Sequence, residues 1–340
     1  MGILRQQLLV IRFSSLGDVA MTVPVLRQLL AQHPALEIYM LSNQHFAPLF
    51  SGVERLHFLG ADLKGEHKGV RGIYRLFKEC KSLLTHFAVA DLHQVLRSQL
   101  LCFLFRISGY PVQQLDKGRA AKKELTSIRH KKLQQLPSTF DRYAAVFNKL
   151  GFWVDLNRND FSKTGSTSSA KLLRVGIAPF AQYREKTYPL PLMKQVIVQL
   201  QQIAGLSIYL YGAPGAEANE LAQWEIELPG VINRAGKQSF KAELNEIGSL
   251  DAMITMDSAN MHLASLGGVP VISIWGATHP FAGFMGWQQS MKNAVQIELT
   301  CRPCSVFGNK VCYRGDWACL ENIPPAMVVA KTKAVLMLAP

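Results

Sequence analysis

Residues 13–24 read FSSLGDVAMTVP and follow an unbroken apolar run, Leu8–Ile11. A short apolar run bounded by turn residues reads as a buried strand. A plain strand-to-helix turn needs one capping residue. This one holds two hydroxyls, Ser14 and Ser15, then Gly17 and a single carboxylate, Asp18, with Pro24 in the first helical turn. In open parallel sheets ligands sit at the carboxyl ends of the strands. The stretch therefore reads as the first strand-turn-helix unit of an α/β sheet and as a candidate site.

The same alternation continues outward. Candidate strands in the first half are Leu8–Phe13, Glu37–Leu41, Leu56–Leu59, Ala88–Leu92 and Val112–Leu115. Between the third and fourth, Ile73, Leu76, Phe77, Cys80, Leu83 and Leu84 form one apolar helical stripe, with Arg71, Arg75 and Lys78 on another face. A later helix, Thr139–Leu150, ends at the C-cap Gly151. Asn157–Ala170, NRNDFSKTGSTSSA, is polar and reads as a linker. Strands then resume at Leu173–Ala178, Ser207–Tyr211, Val231–Asn233, Ala252–Met256 and Val269–Trp275. Alternating strands and helices predict parallel sheets covered on both faces. The expected boundaries are residues 1–160 and 161–340, two Rossmann-like, doubly wound domains facing a central cleft. The last helix is free to pack back on the first domain.

Composition sets the partner class. The 340 residues carry a net charge of +13 and no apolar run long enough to span a membrane. Residues 1–165 hold 23 Lys+Arg against 12 Asp+Glu, while residues 166–340 hold 14 against 12, so the basic character belongs to the first half. It implies an anionic partner: nucleic acid, anionic lipid or a phosphorylated substrate. No signal-peptide pattern precedes the first strand, so a cytoplasmic location is expected.

The second-half motifs also fall at strand ends. In MDSANMHLASL, residues 256–266, Asp257 or Ser258 would cap a helix whose free N–H groups suit a diphosphate, with His262 one turn along. The next strand ends in GATHP, residues 276–280, where small residues admit a ligand to the backbone and Thr278 adds a hydroxyl. Lys186, after the strand at residues 173–178, suits a phosphate as a point charge. These residues could surround one nucleotide-like ligand while Asp18 supplies a carboxylate from across the cleft. That arrangement suits a sugar-nucleotide transferase.

Three blocks resemble glycosyltransferase family 9, the heptosyltransferases of lipopolysaccharide assembly. They are VIRFSSLGDVAMTVPVL (residues 10–26), REKTYP (184–189) and MDSANMHLASLGGVPVISIWGATHP (256–280). VADLHQVLRSQLL, residues 89–101, is also similar to the family's N-terminal domain. The resemblance implies a GT-B fold, an inverting mechanism, no catalytic metal and no cofactor. It makes Asp18 the general base, supported by Ser14, Ser15 and Gly17. It assigns Lys186, Asp257, Ser258, His262 and Thr278 to the nucleotide-sugar donor, ADP-heptose being the family's best-known one. The third block departs at Ala259, where the family usually has glycine.

The basic first half then suits an anionic, lipid-linked saccharide acceptor of the lipopolysaccharide core or lipid A type, met at the cytoplasmic face of the inner membrane. Its candidate cations are Arg71, Arg75, Lys78, Lys117, Arg119, Lys122 and Lys123. Cys301, Cys304, Cys312 and Cys319, spaced C-x2-C-x7-C-x6-C, read as packed reduced thiols, a structural zinc site or a disulfide. Two other functions compete: a sugar-nucleotide epimerase or hydrolase on a similar fold, and a basic nucleic-acid-binding protein. The latter lacks a recognition motif. A Rossmann dehydrogenase is disfavoured, because no G-x-G-x-x-G follows the first strand.

Overall fold

Gln6–Ile11 form strand β1, and Leu8, Leu9, Val10 and Ile11 are all fully buried. Successive strand side chains point to opposite faces, so burial of four in a row means that both faces are covered. The computed structural model describes residues 6–157 and 172–338. Most of the polar stretch expected to be a linker lies outside the described residues. The chain divides into two compact units, Met1–Lys117 with Thr139–Asp160, and Gly118–Ser138 with Phe161–Pro340.

In the first unit β1 is followed by the short helix α1 (Leu16–Ala20) and by α2 (Thr22–Gln32). Pro24 explains this interruption. It has no N–H to return to the carbonyl four residues back, at Ala20, and the helix breaks at Met21. Then come β2 (Leu36–Asn43), β3 (Leu56–Ala61), α3 (Gly69–Leu83), β4 (Phe87–Asp91), α4 (Leu96–Ile107) and β5 (Val112–Gln114). Helix α5 (Arg119–Leu125) belongs to the second unit, and α6 (Thr139–Lys149) to the first. The five strands are parallel in the order β3-β2-β1-β4-β5. The order reverses direction between β1 and β4, where such sheets open a crevice for ligands.

The second unit repeats the plan. Its further elements are β6 (Leu173–Ala178), α7 (Leu190–Leu200), β7 (Leu206–Leu210), α8 (Ala216–Glu227), β8 (Val231–Asn233), α9 (Phe240–Gly248), β9 (Ala252–Met256), α10 (Ala259–Leu266), β10 (Val271–Ile274), β11 (Ala294–Val295), α11 (Ala318–Glu321) and α12 (Pro325–Val335). Six parallel strands run β11-β10-β9-β6-β7-β8, with the switch between β6 and β9. Helix α12 packs on α7 and against β9, β10 and β11 of its own unit. Tyr188 is fully buried, and its hydroxyl donates to the Ile323 carbonyl (2.7 Å), fixing the chain ahead of α12. No helix among the described residues is long and apolar enough to cross a membrane.

Helix α3 buries Ile73, Leu76, Phe77 and Cys80 and exposes Arg71, Arg75 and Lys78, as its periodicity predicts, but Leu83 of the expected stripe, the last residue of the helix, is 58% exposed. Gly72 is fixed by a close approach: a Cβ there would stand 2.2 Å from the backbone carbon of His67. Alanine ordinarily gains about 1 kcal/mol over glycine inside a helix, whereas overpacking a tight contact costs roughly 1–3 kcal/mol. Because the neighbour is backbone, the clash should win. Gly72→Ala is expected to lower the denaturant midpoint at unchanged slope. A raised midpoint would show that the His67 turn gives way freely.

Candidate functional site

In the first unit the site grows from Arg12, the residue after β1. Its side chain is almost wholly buried, which an arginine tolerates only when paired. Its guanidinium meets the Asp18 carboxylate at 2.5 Å and donates to the Leu92 carbonyl at 2.6 Å. Its own carbonyl accepts from the Ser42 hydroxyl at 2.6 Å. One side chain thus ties the ends of β1 and β4 to α1.

Asp18 is the third residue of α1, and Ser15 is the N-cap. The Ser15 hydroxyl and backbone N–H both donate to Asp18 Oδ2, at 2.9 and 3.4 Å. This is the carboxylate half of a capping box. The Asp18 carbonyl accepts from the Tyr143 hydroxyl (3.2 Å) on α6. Asp18 is therefore held in place by a cation, a cap and a tyrosine, yet its side chain keeps 31% exposure. Of the neighbouring loop residues, Ser15 contacts Asp18 directly, the Ser14 hydroxyl faces His93, and Gly17 is buried.

The loop after β4 adds two residues that the sequence reading did not single out. Asp91 is fully buried and accepts four hydrogen bonds, from the N–H groups of His93 and Gln94, the Ser98 hydroxyl and the Gln114 amide (2.9–3.0 Å). Those bonds shape the turn, with Gln94 in the left-handed region at φ 50°. They place the His93 ring 3.5 Å from the Ser14 hydroxyl through Nε2, and edge-on to Phe13. His93 Nδ1 is buried without a hydrogen-bond partner among the described residues. The available signal was VADLHQ itself, an acid at the end of a strand two residues before a histidine.

In the second unit two expected residues, Lys186 and Asp257, come together. Lys186 Nζ lies 3.3 Å from Asp257 Oδ2, and both side chains are largely buried. The stem of Lys186 runs along Gly308 (φ 76°), where a Cβ would stand 2.3 Å from Lys186 Cγ. Ser258 is the N-cap of α10, and its hydroxyl lies 3.1 Å from Thr255 Oγ1 rather than on the helix N–H groups. His262 is buried one turn along. Of the other REKTYP residues, Arg184 pairs with Glu321 and stacks over Trp317, while Tyr188 is a core anchor.

The GATHP turn is locked to the REKTYP turn. The Ala277 N–H donates to the Glu185 carbonyl (3.0 Å), and a Cβ on Gly276 would stand 2.7 Å from that oxygen. Arg302, also missed, holds the turn from behind, donating to the carbonyls of Gly276 (2.6 Å), Trp275 (3.0 Å) and Thr278 (3.1 Å). Thr278 is fully buried, and its hydroxyl has no partner among the described residues.

The basic segment is corrected in part. Lys117 donates to the Gln94 carbonyl (2.9 Å). Lys122 is buried with its ammonium over the Phe284 ring (4.6 Å). Lys131 donates to the carbonyls of Cys301 and Pro303 (2.7 and 2.9 Å). Lys117 and Lys122 therefore do not belong to an exposed acceptor face, because the fold uses their charge internally. Arg71, Arg75, Lys78, Arg119 and Lys123 stay exposed. Cys301, Cys304, Cys312 and Cys319 are free thiols around one small apolar cavity. Among the described residues no group of three or more His, Cys, Asp or Glu is placed to hold a metal ion, so the zinc reading finds no assembled cluster.

The fold and the switch-point sites define a GT-B glycosyltransferase architecture. Residues 81–312 match the model of glycosyltransferase family 9 (heptosyltransferase), and the chain belongs to that family. It is 31% identical over 133 residues to lipooligosaccharide heptosyltransferase 2 of Campylobacter jejuni, a match covering 38% of this chain and 40% of that protein. The chain thus spans about 40% of the length of the relative it matches. Its fold is similar to the family 9 glycosyltransferase of Veillonella parvula DSM 2008, at 19% identity, 99% coverage of both chains and a TM-score of 0.75. It is also similar to E. coli heptosyltransferase WaaC with ADP-2-deoxy-2-fluoro heptose, at 17% identity, 97% and 99% coverage and a TM-score of 0.66.

Burial and the neighbouring Arg12 push the His93 pKa down to about 4. Burial, with Arg302 and Lys131, does the same to His279, also to about 4. An unfolded histidine titrates near 6.5. Between these values the unfolded chain binds protons that the folded chain refuses, so stability falls as pH drops through that window. His93→Gln and His279→Gln should each flatten the loss of urea midpoint over this range. Slopes parallel to the parent's would show that these rings are not buried neutral.

Proposed function

We propose that the chain is an inverting glycosyltransferase that moves a heptose from ADP-heptose to a lipid-linked, lipopolysaccharide-type acceptor. The observation that carries this reading is the largely buried Lys186–Asp257 pair at the start of α10, in a chain of family 9. A lysine at a helix N-terminus suits a diphosphate, since the helix offers unbonded N–H groups and partial positive charge.

In the proposed reaction Asp18 accepts the proton of an acceptor hydroxyl. That oxygen attacks the anomeric carbon from the face opposite the nucleotide. The bond from that carbon to the phosphate oxygen breaks, the configuration inverts, and the electron pair leaves with ADP. Lys186, the first N–H groups of α10 and Thr278 meet the charge that develops on the diphosphate. Asp257 orients Lys186, and Ser258 and His262 border the donor. Arg12 and Ser15 fix the carboxylate, which a general base needs as much as a suitable proton affinity. Arg71, Arg75 and Lys78 on α3, with Arg119 and Lys123, are the exposed cations left for an anionic acceptor.

Calorimetry with ADP, UDP and GDP tests the donor half. Selective ADP binding is expected, weakened roughly 10–100-fold by Lys186→Ala, the range for losing a charged hydrogen bond. Asp18→Asn should keep ADP affinity and lose about 10²–10⁴ in transfer rate. Absence of nucleotide binding would remove the transferase reading. Full transfer activity in Asp18→Asn would move the base elsewhere.

A further inference from the structure

Helix α4 is apolar on two sides. Its inner side buries Leu101, Cys102 and Phe105 with the small hydroxyl of Ser98. Its outer side carries Leu96, Phe103 and Ile107 at i, i+7 and i+11, with 83%, 55% and 66% of their surface exposed, and half-buried Leu100 between them. A helix lying on a soluble domain ordinarily turns polar residues outward. The adjacent α3 packs on α4 through Phe77 and Phe105, whose ring centroids are 5.0 Å apart, and it exposes Val70 and Tyr74.

Cations are interleaved with this apolar surface. Arg71, Arg75, Lys78 and Lys81 on α3 and Arg97 and Arg106 on α4 are all exposed. The two helices hold a single acid, Glu79, and its carboxylate is engaged by His67 Nε2 at 3.0 Å. Arg75 pairs with Glu66 at the surface, where such a bridge is worth little. Lys78 lies over the Tyr74 ring (5.0 Å) and Lys81 over the Phe77 ring (5.4 Å). Their ammonium groups thus rest against aromatic faces of this surface as cation–π partners.

We propose that the outer faces of α3 and α4 form a docking surface for an anionic lipid bilayer, with Leu96, Phe103 and Ile107 entering the headgroup boundary and the flanking cations meeting lipid phosphates. Each group of residues selects against another partner. Nucleic acid would use the cations but leave the leucine, phenylalanine and isoleucine in water. A second copy would bury the apolar stripe but bring like charges together. An anionic bilayer satisfies both, through apolar insertion and attraction of the basic residues to lipid phosphates. The proposal deepens the reading of a lipid-linked acceptor, but its test needs no transfer activity.

Vesicle co-sedimentation of the full chain tests it. Vesicles of phosphatidylcholine with phosphatidylglycerol should bind at low salt, and phosphatidylcholine alone at least about tenfold more weakly. Phe103→Ser with Ile107→Ser should reduce anionic-vesicle affinity by roughly tenfold or more, taking about 1.5–3 kcal/mol for each fully buried apolar side chain. Lys78→Glu with Lys81→Glu should reduce it comparably. Both pairs are exposed, and circular dichroism with ADP titration checks that folding and the second unit are intact. Unchanged binding in the serine variant, or equal binding to neutral vesicles, would overturn the proposal. So would a dimer seen by light scattering that the serine variant dissociates while the parent ignores vesicles, since the face would then belong to a second copy. Loss of ADP binding in the parent would count against the transferase reading and leave the bilayer result standing.

Discussion

The carboxyl ends of parallel strands present carbonyl groups that the sheet has finished using, and burying them without donors is costly. Both units meet this constraint with one arginine each. Arg12 donates to the Leu92 carbonyl at the end of β4, and Arg302 donates to the carbonyls of Trp275, Gly276 and Thr278 after β10. A guanidinium suits the task because it is planar, carries five donors and stays charged when buried. The loops so held are the ones that carry the candidate chemistry. Burial, reinforced by the neighbouring arginine, lowers the pKa of His93 and of His279.

The polar groups left over then become informative. Most buried polar atoms in a folded protein have a partner. The Thr278 hydroxyl and His93 Nδ1 have none among the described residues; Thr278 follows β10, the neighbour of β9, and His93 follows β4 at the switch point of its sheet. Next to Thr278, the Ala277 N–H donates to the Glu185 carbonyl and the Ala277 carbonyl accepts from the N–H groups of Cys304 and Ser305. After β4 Asp91 spends its carboxylate on four donors and so shapes the turn that presents His93.

The strands were legible because burial on both faces writes continuous apolar runs into the chain. Leu173–Ala178, Val231–Asn233 and Ala252–Met256 fall where the runs place them. The strand β11, only Ala294–Val295, is too short to leave a pattern. Asp18 and Lys186 were legible as candidates from their places after β1 and β6. The roles of Arg12, His93 and Arg302 were not, because a buried arginine and a surface arginine look alike until the partner is known. Arg12 reaches Leu92, eighty positions away along the chain, and no local spacing encodes that contact.

The same reasoning limits what net charge can say. Lysines at 117, 122 and 131 contribute to the basic balance, yet the fold directs them to carbonyls and aromatic rings. What remains at the surface of the first unit is concentrated on α3 and α4, where acids are nearly absent. Charge alone on that face would be ordinary for a soluble surface. Apolar side chains alone at single positions would be ordinary too. Their coincidence on two adjoining helices departs from both, because α4 already has an apolar side facing the core and has no need of a second for folding. A second apolar side with a cationic border is accounted for by a partner that is itself apolar within and anionic at its surface.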